Sequence, residues 1–256
     1  KLMYEYMRAI YAMTTVNHDH LAAYIITKYR RYEFAESDLK NRIYLAVEQL
    51  MKTGIANYHQ ALGYDQVNLL TDEVHEKYEN FMRDAIADRL VTRHEGFIIK
   101  NRQRFSKKFH FHTIRIDNIV EVLKNEIEPL GELTRRLDRL MLLPRGLVRR
   151  KIRNHFLEAD RRAFEADYQR HYIHEETKPA HIGAPFLWSS LCRNRGVILV
   201  HGYMAAPEEI RPLASFLKHK GYSVYGARLS GHGTAPEDLS LQSWPDWYDS
   251  VNRAYI

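Results

Sequence analysis

Two short polar turns hold the residues best suited to chemistry in this sequence. Residues 197–200 form a compact β-branched and aliphatic run that stops abruptly at His201 and Gly202, followed by Tyr203 and Met204. Residues 222–227 form a second such run, which stops at Arg228, Leu229, Ser230, Gly231, His232, Gly233 and Thr234. The first run suits a strand buried on both faces of a parallel sheet. Between the two, Pro207 suits a first helical position, and Glu208 and Glu209 complement the positive end of the helix dipole. Ile210, Leu213, Ala214 and Leu217 supply one apolar face, and Gly221 is the stop. The pattern is a βαβ unit, so both turns fall at the carboxyl ends of strands, the rim where open α/β sheets place their sites.

Other patterns have chemical readings beside bland ones. Histidines cluster at His18 and His20, His110 and His112, and His171 and His174, but no cysteine or carboxylate spacing beside them makes a zinc signature. Surface or loop positions are the expectation for them, with no metal and no cofactor. Ser243 and Asp246 have capping-box spacing for a helix carrying Trp244, Trp247, Tyr248 and Val251. Its tryptophans suit a pocket wall, although aromatics at helical spacing more often belong to a core.

The elements upstream read as helices at 18–31 and 36–53, the second with Leu39, Ile43, Val47 and Leu50 on one face and Gly54 as its stop. A third helix is expected over 72–89, with Asp72 and Glu73 in its first turn and Val74, Tyr78, Phe81 and Ala85 on one face. Residues 90–93 and 97–100 flank His94, Glu95 and Gly96 in a hairpin pattern. Three helices followed by a hairpin is the order of a winged-helix domain. Helical pattern resumes from 117 to Pro129, then runs from Leu133 to about Tyr172 with a break near Pro144 and Gly146, as a connector or cover. The turn-rich segment 175–183 makes the best boundary.

The 256 residues are 45% hydrophobic, enough for one large domain or two modest ones. No apolar run is long enough to span a membrane and no secretory signal opens the chain, so the expected location is cytoplasmic. The single Cys192 cannot form an internal disulfide. The chain starts at Lys1 and stops at Ile256 inside a helical pattern, so both ends read as cuts in a longer polypeptide. Of the net charge of +6, residues 196–256 hold five Lys or Arg against six Asp or Glu, which assigns +7 to residues 1–195. The densest basic run is Arg149, Arg150, Lys151 and Arg153; it admits peripheral contact with an anionic membrane but is more often a solvated helix face. Acidic residues Asp72, Glu73, Glu76, Glu79, Asp84 and Asp88 on the third helix argue against nucleic acid as its partner.

Residues 196–255 resemble the opening of α/β-hydrolases of the carboxylesterase and monoacylglycerol-lipase type. The resemblance rests on strand 197–200, His201-Gly202-Tyr203, Pro207, Arg211-Pro212-Leu213-Ala214, Gly221-Tyr222, Gly231-His232-Gly233, and Trp244 with Asp246-Trp247. It implies that the backbone N–H of Tyr203 stabilises the oxyanion of a tetrahedral intermediate, an effect of about 3–4 kcal/mol where single donors have been removed. It further implies that His201 and Gly202 support that loop and that Met204, His232 and Trp244 face an acyl-ester or lipid-derived substrate. The nucleophile of such enzymes sits in Gly-x-Ser-x-Gly, with an acid and then a histidine downstream. No such pentapeptide occurs here; the nearest run, Gly221-Tyr222-Ser223-Val224-Tyr225, lacks the last glycine. The resemblance therefore implies a serine esterase or lipase whose catalytic triad lies outside this chain, which by itself is inactive.

Residues 1–130 more loosely resemble the region that follows the catalytic domain of bacterial glycerol-3-phosphate acyltransferases, in segments 12–29 and 109–123. Those enzymes use a His-x-x-x-x-Asp pair, and His112–Asp117 and His155–Asp160 match its spacing. Neither is persuasive: five residues along a helix send side chains in divergent directions, and no phosphate-binding partner follows the first pair. The expected class is α/β: a truncated α/β-hydrolase with a parallel-sheet βαβ unit, preceded by a mainly helical, winged-helix-like region. The expected divisions are 1–116 (winged-helix-like), 117–182 (connector) and 183–256 (hydrolase opening). The rival readings are a winged-helix nucleic-acid-binding protein and a non-catalytic hydrolase fold that binds other proteins.

Overall fold

The computed structural model describes residues 2–71, 73–105, 118–174, 177–190 and 195–256. Asp72, His110, His112, Asp117 and Cys192, and with them the His112–Asp117 spacing, lie outside the described residues. The chain is mixed α/β and divides into two compact units, Lys1–Arg150 and Lys151–Ile256. No described helix is long and apolar enough to cross a membrane.

The first unit contains α1 (Leu2–Tyr11), α2 (His18–Lys28), β1 (Glu33–Ala35), α3 (Glu36–Thr53), α4 (Glu76–Ala87), β2 (Val91–His94), β3 (Phe97–Lys100), α5 (Arg102–Phe105), α6 (Ile119–Ile127) and α7 (Gly131–Leu142). Asn17 starts α2 with a capping box whose reciprocal partner is a histidine: the Asn17 side chain accepts from His20 N (3.0 Å) and Asn17 N donates to His20 Nδ1 (3.1 Å). The helix stops at Lys28, short of the expected 31, because Tyr29 turns to extended backbone. Leu39, Ile43, Val47 and Leu50 are fully buried along α3, which Gly54 closes with φ +58°.

Helix α4 begins at Glu76 rather than residue 72, because the His75 ring caps it by accepting from Tyr78 N at 3.2 Å. Val74 is accordingly outside the helix and 70% exposed, and Met82 joins Tyr78, Phe81 and Ala85 in the core. The hairpin of β2 and β3 turns through Glu95 and Gly96, both at positive φ, the backbone of a two-residue hairpin loop matched to strand twist. Strand β1 pairs antiparallel with β3 to give the order β1-β3-β2, burying Phe34. His18 and His20 are not surface histidines: both are buried, His18 beside the ring of His75 and His20 against the carboxylate of Glu126 (2.8 Å).

Helix α8 (Arg145–Arg170) follows the break at Pro144, and its residues from Lys151 onward belong to the second unit. That unit continues with α9 (Ala180–Gly183), β4 (Phe186–Trp188), β5 (Gly196–Val200), a 3-10 turn (Pro207–Ile210), α10 (Arg211–His219), β6 (Ser223–Ala227), α11 (Pro236–Ser240) and α12 (Trp244–Tyr255). The sheet order is β4-β6-β5. Strand β6 is antiparallel to β4 and parallel to β5, from Gly196 opposite Ser223 to Val200 opposite Ala227.

Phe186, Ala214 and Val224 form the core of the sheet, with Trp188, Leu199, Ile210 and Leu217 packed on it. Gly226 is required there, since a Cβ would lie 2.3 Å from the Phe186 ring. Two expectations fail. No residue of β5 is fully buried, because among the described residues it is an edge strand paired only with β6. Leu213, assigned to the apolar face of α10, is half exposed, and Ala214 takes the buried place.

Candidate functional site

Register carries the ends of β5 and β6 to the same rim, where Val200 and Ala227 are the last paired residues. The chain leaves β5 in a tight turn closed by Ala205 N donating to Gly202 O at 3.1 Å. Met204 adopts φ +60° there, an uncommon conformation for a residue with a Cβ. Tyr203 and Met204 are consequently thrust outward, 73% and 78% exposed. Gly202 N donates to the Glu209 carboxylate at 3.4 Å. The Tyr203 amide lies beyond the β5–β6 ladder and, among the described residues, donates to no protein acceptor.

His201 ties this turn to the one after β6. Its Nε2 accepts from Leu229 N at 3.3 Å, which leaves the proton on Nδ1 to be donated to Gly202 O at 3.0 Å. Burial pushes its pKa down, so the ring stays neutral and both bonds persist. The His232 ring lies 4.9 Å from that of His201, also buried and with its pKa lowered chiefly by burial. Its Nδ1 faces Ser230 O at 3.2 Å, and Nε2 has no hydrogen-bond partner among the described residues. Trp247 covers the other side of His232 at 5.5 Å and donates Nε1–H to Ser230 O at 3.1 Å.

The second turn is held from below by Arg228, which is almost wholly buried. Arg228 donates Nε–H to His232 O (2.7 Å) and its two remaining nitrogens to Asp167 (2.8 Å) and Asp238 (3.3 Å). Asp238 also accepts from Thr234 Oγ1 at 2.6 Å. The same helix face that supplies Asp167 supplies Asp160, which accepts from the Tyr225 hydroxyl (2.6 Å) and Arg253 (3.1 Å). Asp160 is thus a packing carboxylate rather than the orienting acid of a His-x-x-x-x-Asp pair. Asp167, Arg228 and Asp238 had no sequence signal, since their pairing spans 61 and 10 residues and obeys no local period.

Between the two turns lies a cleft of about 460 Å³, lined by Met204, Ala205, Glu208, Glu209, residues 231–236 and Leu239, with Lys178 and Ile182 at its edge. That volume is within the range of small-molecule sites, about 300–1,000 Å³. Of the residues expected at the site, Met204 and His232 line this cleft, and Tyr203, Gly202 and His201 form the turn beside it. Trp244 does not: it is 73% exposed, and Trp247, one helical turn along, packs against Tyr203 and His232 instead. Among the described residues no group of three or more His, Cys, Asp or Glu side chains is arranged to hold a metal ion. Ser230 Oγ pairs with Ser250 Oγ (3.1 Å), Ser223 Oγ accepts from Ser190 N (3.0 Å), and among the described residues neither hydroxyl is hydrogen-bonded to a histidine. The arrangement can receive a polar oxygen at the tip of β5.

No protein-family profile matches the chain. Curated proteins do. The chain is 45% identical over 60 residues to a thermostable monoacylglycerol lipase of Bacillus sp. (strain H-257), covering 23% of this chain and 24% of the lipase. It is 31% identical over 62 residues to a carboxylesterase of Bacillus subtilis (strain 168), covering 24% of this chain and 25% of the esterase. These partial matches support a relationship of α/β-hydrolase type. The chain spans about a quarter of the length of either relative.

Proposed function

We propose that residues 183–256 are the oxyanion-loop-bearing opening of a serine esterase or lipase acting on acyl esters, with lipid-derived esters as the substrate class. The observation that carries the reading is the tip of β5. There an amide outside the ladder, Tyr203 N–H, sits beside a cleft whose wall includes a neutral histidine with an unpartnered Nε2. Attack on an ester carbonyl concentrates charge on one oxygen, and a fixed amide in such a position stabilises it. In this reading Gly202 allows close approach, His201 holds the loop, and Met204 and His232 contact the acyl or alcohol part; Trp247 replaces Trp244 as the aromatic neighbour.

The nucleophile, acid and base are proposed to come from outside these residues, because no Gly-x-Ser-x-Gly occurs in the sequence. Fusion to an acyltransferase and a winged-helix-like fold for the first unit are proposed on the resemblance and on the order of α2, α3, α4 and the β2–β3 hairpin. A nucleic-acid role for that hairpin is disfavoured by Arg93, whose guanidinium is already engaged by Glu36 (2.6 Å) and Glu79 (2.9 Å).

The test is turnover of p-nitrophenyl butyrate by this chain and by the product of the reading frame that encodes it, expressed with its flanking sequence. The chain alone is expected to be inactive and the longer product active. Tyr203→Pro, which deletes the N–H, is expected to lower kcat by about 10²–10³-fold in the longer product, whereas Tyr203→Ala retains most of it. Turnover by the chain alone that disappears in Ser223→Ala would overturn the proposal.

A further inference from the structure

The first unit holds an open groove of about 700 Å³ at the C-terminal ends of α2 and α7, against β1 and the start of β3. Its floor is apolar: Phe34 is stacked on Tyr29 with centroids 3.8 Å apart and planes at 4°, and Phe97 and Leu142 remain 43% and 73% exposed beside them. Such a surface left in water is what an apolar chain would cover.

The rim is charged in an unequal way. Five cations and three carboxylates line the groove. Arg42 is consumed by Asp38 (3.0 Å) and by the carbonyl of Leu143 (2.9 Å), and Lys28 pairs with Asp138 at 2.8 Å. Arg145 reaches Asp38 only at 3.8 Å and stays half exposed, while Arg30 and Arg31 are exposed and make no ion pair among the described residues. An apolar floor under arginines with unspent donors matches an amphiphile with a planar anionic head, which a guanidinium grips with two parallel hydrogen bonds. The carboxylates of Glu33, Asp38 and Asp138 in the same walls favour one negative charge over two.

We propose that this groove binds a single-chain amphiphile carrying one carboxylate, the anion of a long-chain fatty acid. The site stands independently of the ester-hydrolase reading, although a carboxylate of this class is what hydrolysis of an acyl ester releases.

The experiment is calorimetric titration of the 256-residue chain with dodecanoate below its micellar range, beside dodecanol, dodecyl phosphate and dodecyltrimethylammonium. Saturable binding of dodecanoate about tenfold or more tighter than each of the others is expected. Arg30→Gln with Arg31→Gln should erase that tenfold advantage over dodecanol, and Leu142→Asp should weaken both ligands; all three side chains are exposed, so the fold should survive. Trp188, Trp244 and Trp247 are the only tryptophans and all belong to the second unit. Phe97→Trp therefore places a reporter in the groove that a brominated dodecanoate should quench. Absence of saturable binding, dodecanoate binding indifferent to the two arginine substitutions, tighter binding of dodecyl phosphate, or no quenching at position 97 would each overturn the proposal.

Discussion

Gly183 and Gly233 meet backbone to backbone: a Cβ on Gly233 would lie 2.5 Å from the Cα of Gly183, and a Cβ on Gly183 would lie 2.5 Å from the carbonyl oxygen of Gly233. The contact locks α9 onto the turn that presents His232, and Gly233 also holds φ +74°. Gly233→Ala therefore meets both strain and collision, and Gly183→Ala collision alone. Losses of about 1–3 kcal/mol are expected for Gly183→Ala and more for Gly233→Ala. Urea unfolding followed by tryptophan fluorescence reads this directly, because every tryptophan lies in the second unit. Gly54→Ala, at φ +58° but with open space around it, is the comparison in which only backbone strain acts; it lies in the first unit, so its unfolding is followed by far-UV circular dichroism.

His201 satisfies one buried amide in the opposite turn. In His201→Phe the ring volume remains, but Leu229 N–H has no acceptor, at a cost of about 1–3 kcal/mol. Exchange of the Leu229 amide with solvent deuterium should accelerate in this variant while that of Val224, inside the sheet, keeps its relative protection. Equal protection of Leu229 in both proteins would show that the bond contributes nothing.

Glu209 tethers the first turn through Gly202 N–H. Glu209→Ala should move the Gly202 amide proton upfield and speed its exchange, and Glu209→Gln, which keeps an acceptor oxygen, should restore most of both. The HSQC spectrum of the two variants provides the measurement.

The first unit should weaken in mild acid. His75 is almost wholly buried, and burial first, then the neighbouring His18, push its pKa from 6.5 down to about 4; Lys77 adds to this and Asp65 opposes it. Both nitrogens of His18, whose ring lies 4.8 Å from that of His75, are buried without a hydrogen-bond partner among the described residues. The folded state thus binds the His75 proton less readily than the unfolded chain does. Stability is full above about pH 6.5 and declines as pH falls toward 4, by about 1–3 kcal/mol. Far-UV circular dichroism melts of the wild type and His75→Gln across that window should converge at pH 4 relative to pH 7.5.

What the sequence revealed follows the range of the forces involved. Period and caps are local, so α3 with Gly54, the hairpin at Glu95-Gly96, the break at Pro144 and the Ser243–Asp246 capping box were all legible. Strand β1 was not, because three residues have no period; it exists by pairing with β3 and burying Phe34. The buried places of His18 and His20 were missed for the same reason, being set by His75 and Glu126, which are distant in sequence. Among the site residues, the turn 201–204 was legible from its strand. The choice of Trp247 over Trp244 depended on which way α12 faces, and the Arg228 cluster on carboxylates that looked like ordinary helix surface.

The reading of the second unit depends most on the direction of one N–H group, and amide exchange measured residue by residue by NMR tests it most directly. The account predicts that the Tyr203 amide exchanges as an unprotected site while Leu199 and Tyr225, whose N–H groups point into the β5–β6 ladder, are slowed by it, and that the Tyr203 cross-peak shifts when butyrate or a short alkyl phosphonate is titrated in. A Tyr203 amide as protected as Leu199, and unmoved by either anion, would contradict it.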